Sequence, residues 1–137
     1  MQDRPTATEL LGAVRDFLQG EVVPALGEHR LRFRALIAAN VLTVVERELA
    51  GEEGRLRAEW QRLGALLGAE DEAPPDTLDA LRAGVDERKR ALCARIQAGE
   101  ADDGPWRLDV LAYARWAVEE KLRVANPRYL QRMTNDE

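Results

Sequence analysis

The sequence predicts an all-α protein, a single-domain bundle of about five helices with an apolar second helix at its centre. Hydrophobic residues recur three and four positions apart, which is the helical period. β-Branched residues are scattered, and no segment has the pattern of a strand. Helix start and stop signals flank the periodic segments. A chain of 137 residues has the size of one domain, so we expect one domain over residues 1–137.

The first helix begins at Thr6, where Thr6 and Glu9 have the spacing of a capping box. The apolar residues that follow fall on one face, which we expect to be buried: Leu10, Leu11, Val14, Phe17 and Leu18. Three helix-breaking residues then predict a connector: Gly20, Pro24 and Gly27.

The second helix is predicted from Leu31 to about Ala50, before Gly51. Apolar residues surround most of its circumference, which is typical of a helix in the middle of a bundle. They are Phe33, Leu36, Ile37, Val41, Val44, Val45 and Leu49. A third helix, about Glu52 to Leu67, ends at Gly68, and the short joining turn predicts that it packs antiparallel to the second.

An acidic, proline-containing stretch at about 69–75 predicts an exposed loop before the fourth helix, with Asp76 as its N-cap. The fourth helix should end at Gly99. A second cap-and-proline start at 102–105 precedes a fifth helix that ends at Asn126–Pro127. We expect Tyr129 and Leu130 to fold back onto the bundle.

Charge and composition exclude several classes of function. The net charge is −5, and the bases alternate with acids along most of the chain, which argues against a nucleic-acid-binding face. The longest apolar run, Leu36 to Val45, is about half of the roughly 20 residues that span a bilayer, so no membrane insertion is expected. The N-terminus, Met1 to Pro5, lacks the features of a signal peptide, which predicts a cytoplasmic protein.

The residue inventory predicts neither a metal site nor a cofactor, and no catalytic residue. One cysteine, Cys93, and one histidine, His29, permit neither a disulfide nor a Cys/His zinc site. Glycine-rich phosphate loops, nucleophile elbows and His-x-x-x-His pairs are missing from the sequence. We expect Cys93 to be a small buried residue, and the three tryptophans to be core or interface anchors: Trp60, Trp106 and Trp116.

Asn40 is a candidate ligand-binding residue because it interrupts the apolar run of the second helix. An unpartnered buried amide costs about 1–3 kcal/mol, so it needs a hydrogen bond from a neighbouring helix, a water or a ligand. Arg47, seven residues further, lies on roughly the same face. It needs either an internal carboxylate or an anionic ligand.

A basic cluster at the start of the same helix contains the other candidate binding residues, His29, Arg32 and Arg34. Positive charge is unfavourable at a helix N-terminus. The cluster therefore either docks a phosphate or an acidic partner, or forms a solvated rim that is balanced by the acidic loop.

Three stretches together resemble a known family: Arg4–Thr6 before Glu9–Leu11, Leu31–Phe33 through Asn40 to Arg47–Glu48, and the terminal Asn126–Leu130. The family consists of small bacterial helical proteins of unknown function. They are often encoded beside aminoglycoside-phosphotransferase-like kinases and acyl-CoA dehydrogenases. The resemblance implies a shared pathway and supports a non-catalytic accessory or interaction protein, with a homodimer compatible. The alternative is a bundle or minor enzyme that binds a small anionic molecule.

Overall fold

A computed structural model describes residues 4–135. Outside the described residues lie 1–3 and 136–137. Residues 1–3 belong to the N-terminal segment from which the sequence predicted that the protein is not exported. The all-α prediction is confirmed, and the described residues contain no strand. Five helices have nine or more residues. In chain order the elements are α1 (Ala7–Phe17), a π-helical turn (Leu18–Val22), the short α2 (Val23–Ala25), α3 (His29–Leu67), α4 (Leu78–Gln97), α5 (Trp106–Ala125) and α6 (Pro127–Asn135).

The predicted capping box starts α1. The Thr6 hydroxyl accepts from the Glu9 amide at 3.2 Å, and the Glu9 carboxylate accepts from the Thr6 amide at 2.7 Å. The chain does not break at Gly20, because a π-helical turn carries the helix on to α2. The connector before α3 is therefore shorter than predicted and begins after Ala25.

The second and third predicted helices are one continuous helix, α3, which corrects the prediction of an antiparallel pair. Gly51 and Gly54 lie inside it. A glycine within a helix costs only about 1 kcal/mol relative to alanine, and the neighbouring Glu, Arg and Leu residues favour the helix. The helix ends at the predicted place, before Gly68, whose φ of +73° lies in the left-handed region that a glycine tolerates best.

Clustering of backbone contacts divides the chain into two compact units, Met1–Gly51 and Glu52–Glu137. The boundary falls within α3. The single domain over residues 1–137 stays a prediction. In the first unit, α1 and the first half of α3 form a helical hairpin in which Arg15 on α1 forms an ion pair with Glu46 on α3.

The second unit contains the hydrophobic core of the described chain. Its buried residues come from the second half of α3, from α4 and from α5: Trp60, Leu63, Leu66, Leu81, Val85, Leu92 and Val110. The side chain of Leu63 is completely buried. The tail forms α6, which follows α5 directly after Asn126 and contacts it, and Tyr129 remains 49% exposed.

The loop at 69–75 is less exposed than predicted. Pro74 and Pro75 are half-buried, and the Glu72 carbonyl oxygen accepts a hydrogen bond from the Trp60 indole at 3.0 Å. The N-cap of α4 is Thr77, one residue beyond the predicted Asp76, and its hydroxyl accepts from the Ala80 amide. Buried backbone and indole groups need hydrogen-bond partners. The hydrogen bond between Trp60 and Glu72 therefore holds this loop against the core.

Candidate functional site

The hairpin of residues 4–51 exposes most of its large apolar side chains, and the only residue that it buries fully is Ala39. The predicted burial of the α1 face and of the stretch from Leu36 to Val45 is therefore wrong. The exposed apolar residues, each 37–58% accessible, are Leu10, Val14, Phe17, Leu31, Phe33, Leu36, Ile37, Val41, Val45 and Leu49.

The prediction that this helix lies at the centre of a bundle fails because the hairpin covers only one side of it. Ala39 is buried, and Glu46 contacts α1 through Arg15. Residues two positions from Ala39, such as Ile37 and Val41, lie on nearly the opposite side at the helical period. Their exposed fractions are 48% and 53%. A helix that is apolar all round thus keeps one apolar side without a partner.

Five of the exposed residues on α3 are four positions apart and form one row, which we call the α3 ridge: Phe33, Ile37, Val41, Val45 and Leu49. Rows of side chains at this spacing are the ridges that fit into the grooves of a second helix.

Asn40 lies beside this ridge and is exposed, so the expectation of a buried amide is wrong. Arg47 is half-buried and already engaged in an interaction. The two residues share one side of α3, two turns apart. Their role in binding a ligand stays a prediction.

The basic cluster lies at the first turns of α3, and His29, Arg32 and Arg34 are all exposed. The Arg32 Nε donates to the Val23 carbonyl oxygen at 3.3 Å, which closes the turn between α2 and α3. Within residues 4–135, Arg30 and Arg34 make no ion pair. The arginines therefore remain available to an anionic group from outside the chain, which keeps the anion-binding prediction open.

A second exposed apolar face lies on α5. Leu108 is 69% exposed, and Leu111 and Val118 are each 54% exposed. At the helical period the three side chains fall on one side of the helix, together with Arg115. We call this surface the α5 face.

The sequence interpretation missed the partners of the tryptophans. Each indole in the second unit is covered by an arginine guanidinium. The distance from the arginine Cζ to the ring centroid is 3.4 Å for Arg88 on Trp60, 4.1 Å for Arg95 on Trp106 and 4.5 Å for Arg62 on Trp116. A guanidinium over an indole face is a favourable cation–π contact. Trp60 is part of the core cluster and Trp106 packs against it, as the sequence predicts for anchors, whereas the anchor role of Trp116 stays a prediction.

Arg88 is the one buried charged residue of the described chain, at 7% exposure. It donates to the Trp60 carbonyl oxygen at 2.8 Å and to the Glu72 carboxylate at 2.7 Å, so it ties the acidic loop to the core. Two glycines mark the site, because a Cβ on Gly64 would lie 2.7 Å from Arg88 Nη1 and a Cβ on Gly84 would lie 2.7 Å from the Trp60 ring. In the sequence, the signal for this close packing was the presence of isolated glycines, Gly64 and Gly84, within helical segments.

A surface cavity of about 460 Å³ opens beside this arrangement. Its wall includes Trp60, Arg88 and the acidic residues of the loop. Because the Arg88 guanidinium is already bonded to protein acceptors, the cavity presents carboxylates rather than a free cation. Such a lining does not favour the anionic ligand that the sequence suggested.

A cluster of polar groups joins α3, α4 and α5. The Tyr113 hydroxyl donates to Glu59 at 2.7 Å, and the Lys89 ammonium lies 3.0 Å from the same carboxylate. Burial and the nearby carboxylate raise the pKa of Tyr113. Cys93 is exposed, which corrects the expectation of a buried thiol. The cluster is internally paired and has the arrangement of a structural network.

The described helices include none with the length and apolar character to cross a bilayer. Within residues 4–135, no group of three or more His, Cys, Asp and Glu side chains is placed to hold a metal ion.

Comparison with known proteins identifies a family. No curated protein and no solved structure matches the chain. A family model described as "Domain of unknown function (DUF6285)" matches residues 24–129, which leaves α1 outside the match and includes α3, α4 and α5. The match covers well over half of the chain, and the protein therefore belongs to this family of unknown function.

Proposed function

We propose that the protein is a non-catalytic accessory protein of the cytoplasm that acts by binding other proteins. The observation that carries this proposal is the exposed apolar surface of the hairpin and of the α5 face. By contrast, within residues 4–135 every buried side-chain nitrogen and oxygen atom has a hydrogen-bond partner. Contiguous exposed apolar patches of this kind are typical of interaction sites.

The partner is an enzyme, either an aminoglycoside-phosphotransferase-like kinase or an acyl-CoA dehydrogenase. This part rests on the resemblance to a family encoded beside such enzymes. The α5 face is the surface that binds the enzyme. It combines three exposed apolar side chains with an Arg115–Glu119 ion pair at 3.1 Å, and interfaces commonly surround an apolar centre with polar groups.

Binding between the purified full chain and each purified enzyme encoded beside it tests the proposal. We expect binding to one of them, weakened by about tenfold or more in Leu108→Arg, because the charge would be buried at the centre of the contact. The matched control is Ala91→Arg, which places the same side chain at an exposed position of α4. Equal binding by both variants, or no binding by the wild-type chain, would contradict the proposal.

The arginines at the start of α3 support a second candidate function, the binding of a small anionic molecule. Arg30 and Arg34 are exposed without ion pairs within the described residues. Titration with inorganic phosphate, followed by calorimetry, tests this candidate. Saturable binding that is lost in Arg32→Ala/Arg34→Ala would support it, and heats equal to those of dilution would contradict it.

A further inference from the structure

We infer that the guanidinium of Arg88 and the indole N–H of Trp60 form a binding site for a small organic carboxylate, and that Glu72 of the acidic loop occupies this site in the present structure. The site goes beyond the proposed binding of an enzyme and uses no residue of the α5 face. Three observations support it: two donors converge on one loop residue, the partners are buried to different extents, and a cavity adjoins them.

Side-chain donors from two helices converge on Glu72. The Trp60 indole on α3 donates to the Glu72 carbonyl oxygen at 3.0 Å, and Arg88 Nη2 on α4 donates to the Glu72 carboxylate at 2.7 Å. Guanidinium and indole N–H groups are donors only, so a ligand that satisfies both must supply acceptor oxygens. Because a guanidinium bonds more strongly to a charged acceptor than to a neutral one, a carboxylate suits this site.

The donor side of this contact is held in place by the core. Arg88 Nη1 donates to the Trp60 carbonyl oxygen at 2.8 Å, and Arg88 Cζ lies 3.4 Å from the centroid of the Trp60 ring. Gly64 leaves room for the guanidinium, because a Cβ at this position would lie 2.7 Å from Arg88 Nη1. Groups that are already ordered lose little freedom when a ligand binds. The site is therefore preorganised.

The acceptor side of the contact is exchangeable. The Arg88 side chain is 8% accessible, whereas that of Glu72 is 67% accessible. When the loop lifts, water solvates the Glu72 carboxylate at little cost, but the buried guanidinium loses its charged acceptor. An external carboxylate that takes the place of Glu72 removes this penalty. Glu72 thus acts as an intramolecular competitor, with the high effective concentration that a short tether gives.

The cavity beside the pair has room for the rest of such a ligand. Its volume is about 460 Å³, which lies within the range of small-molecule sites. The wall includes Ala65 and Trp60 from α3, and Glu70 and Asp71 from the loop. The two loop carboxylates disfavour an anion while the loop is closed, but they belong to the segment that lifts with Glu72. We therefore expect the ligand to place a short apolar part against Ala65 and Trp60.

Chemical rescue of Glu72→Ala by butyrate tests this site. The variant should leave the donors of Arg88 and Trp60 without the carboxylate. Butyrate should then raise its thermal unfolding temperature along a saturable curve, above the effect of sodium chloride at equal ionic strength. Because Glu72 competes in the wild type, the apparent dissociation constant of the wild-type chain should be at least about tenfold higher, as measured by calorimetry.

Matched variants separate the site from general effects of salt. Glu52→Ala removes the carboxylate partner of Arg82, whose side chain is 44% accessible, and should respond to butyrate no more than to chloride. Glu72→Ala/Arg88→Met lacks the guanidinium and should show no rescue. Glu72→Gln keeps the shape of the side chain without its charge, should also be rescued, and carries the test if the alanine variant does not fold.

Equal responses of Glu72→Ala to butyrate and chloride, or a rescue that survives Arg88→Met, would overturn the inference. An affinity that does not rise from formate to butyrate would overturn the placement of the ligand in the cavity. None of these outcomes affects the enzyme-binding proposal, which Leu108→Arg tests separately. Conversely, saturable rescue in a chain that binds neither enzyme would leave the site in place and reject the proposed function.

Discussion

Residues 4–51 and residues 52–135 contain similar proportions of apolar residues but bury them to different extents. In the second region, seven buried residues from three helices form one core cluster. In the first, Ala39 is the only fully buried residue, and ten large apolar side chains are at least 37% exposed. Because apolar side chains favour burial wherever a partner surface exists, the comparison distinguishes a region that completes its core alone from one whose apolar surface is left for another molecule.

The polar contacts of the two regions differ in the same way. In the hairpin, an ion pair between the helices joins Arg15 and Glu46, and both side chains are partly accessible. In the second region, Arg88 is buried, stacked on Trp60 and bonded to the acidic loop. Exposed ion pairs add little stability, whereas a buried and fully bonded charge destabilises a fold strongly when one partner is removed. We therefore expect the second region to dominate the stability of the chain.

The sharpest test of this comparison is a matched pair of truncations, Leu63→Ala in the core and Ile37→Ala on the ridge. Leu63 is completely buried, so its truncation should lower the free energy of unfolding by about 2–5 kcal/mol. Ile37 is 48% exposed, so its truncation should lower the free energy of unfolding by about 1 kcal/mol or less in dilute protein. Chemical denaturation followed by circular dichroism measures both.

Protein concentration matters for the same pair, because association stabilises a folded chain by mass action. Both variants are therefore compared in dilute protein, where association cannot add to either cost. Equal costs for the two truncations in dilute protein would contradict the difference between the regions.

The second largest effect is expected from Arg88→Met. Methionine keeps an apolar stem over Trp60 but removes the donors to the Trp60 carbonyl and the Glu72 carboxylate. Because these acceptors lose their donors, we expect the free energy of unfolding to fall by about 1–3 kcal/mol and the acidic loop to become more mobile. The control is Arg90→Met, at an exposed position two residues further along α4, which should change the free energy of unfolding by less than about 0.5 kcal/mol.

Two helical glycines give a third test, with opposite signs expected. A Cβ at Gly84 would lie 2.7 Å from the Trp60 ring, so Gly84→Ala should destabilise the core by about 1–2 kcal/mol despite the better helix propensity of alanine. Gly54, inside α3, has no atom within 4 Å of such a Cβ. Gly54→Ala should stabilise the chain by about 0.5–1 kcal/mol. Thermal unfolding distinguishes the two, and a stabilised Gly84→Ala would show that the indole can move.

The sequence predicted the parts of this structure that depend on local signals. Thr6 and Glu9 start α1, Gly68 ends α3, and the all-α class follows from helical spacing. Gly51 misled the interpretation, because a single glycine ends a helix only if the chain gains something by turning there. Surrounded by helix-favouring residues, it stays inside α3.

The side that a helix buries is not a local property, which is why the candidate site was harder to predict. An apolar circumference is equally compatible with the centre of a bundle and with an unpaired surface, so the exposure of Val41 and Asn40 could not be read from α3 alone. The Arg88–Trp60 contact joins residues 28 positions apart and an acidic loop. Only the packing of α4 against α3 brings these groups together.

The smallest predicted effect concerns Tyr113, whose raised pKa reflects the packing of the second region. A phenol that ionises near pH 10 in the unfolded chain but at higher pH in the fold stabilises the fold below about pH 10, and this contribution is lost as the pH rises towards the folded pKa. Tyr113→Phe should cost about 0.5–1.5 kcal/mol at neutral pH through the lost hydrogen bond to Glu59. The stability of Tyr113→Phe should then approach that of the wild type in alkaline solution.

In Tyr129→Phe, which keeps Tyr113 as the one remaining tyrosine, the phenolate absorbance should develop above pH 10 in the folded protein and near pH 10 in denaturant. Coincident titrations would show that the contact between Tyr113 and Glu59 is open to solvent, and the contrast between a packed second region and an open hairpin would be weakened at that point.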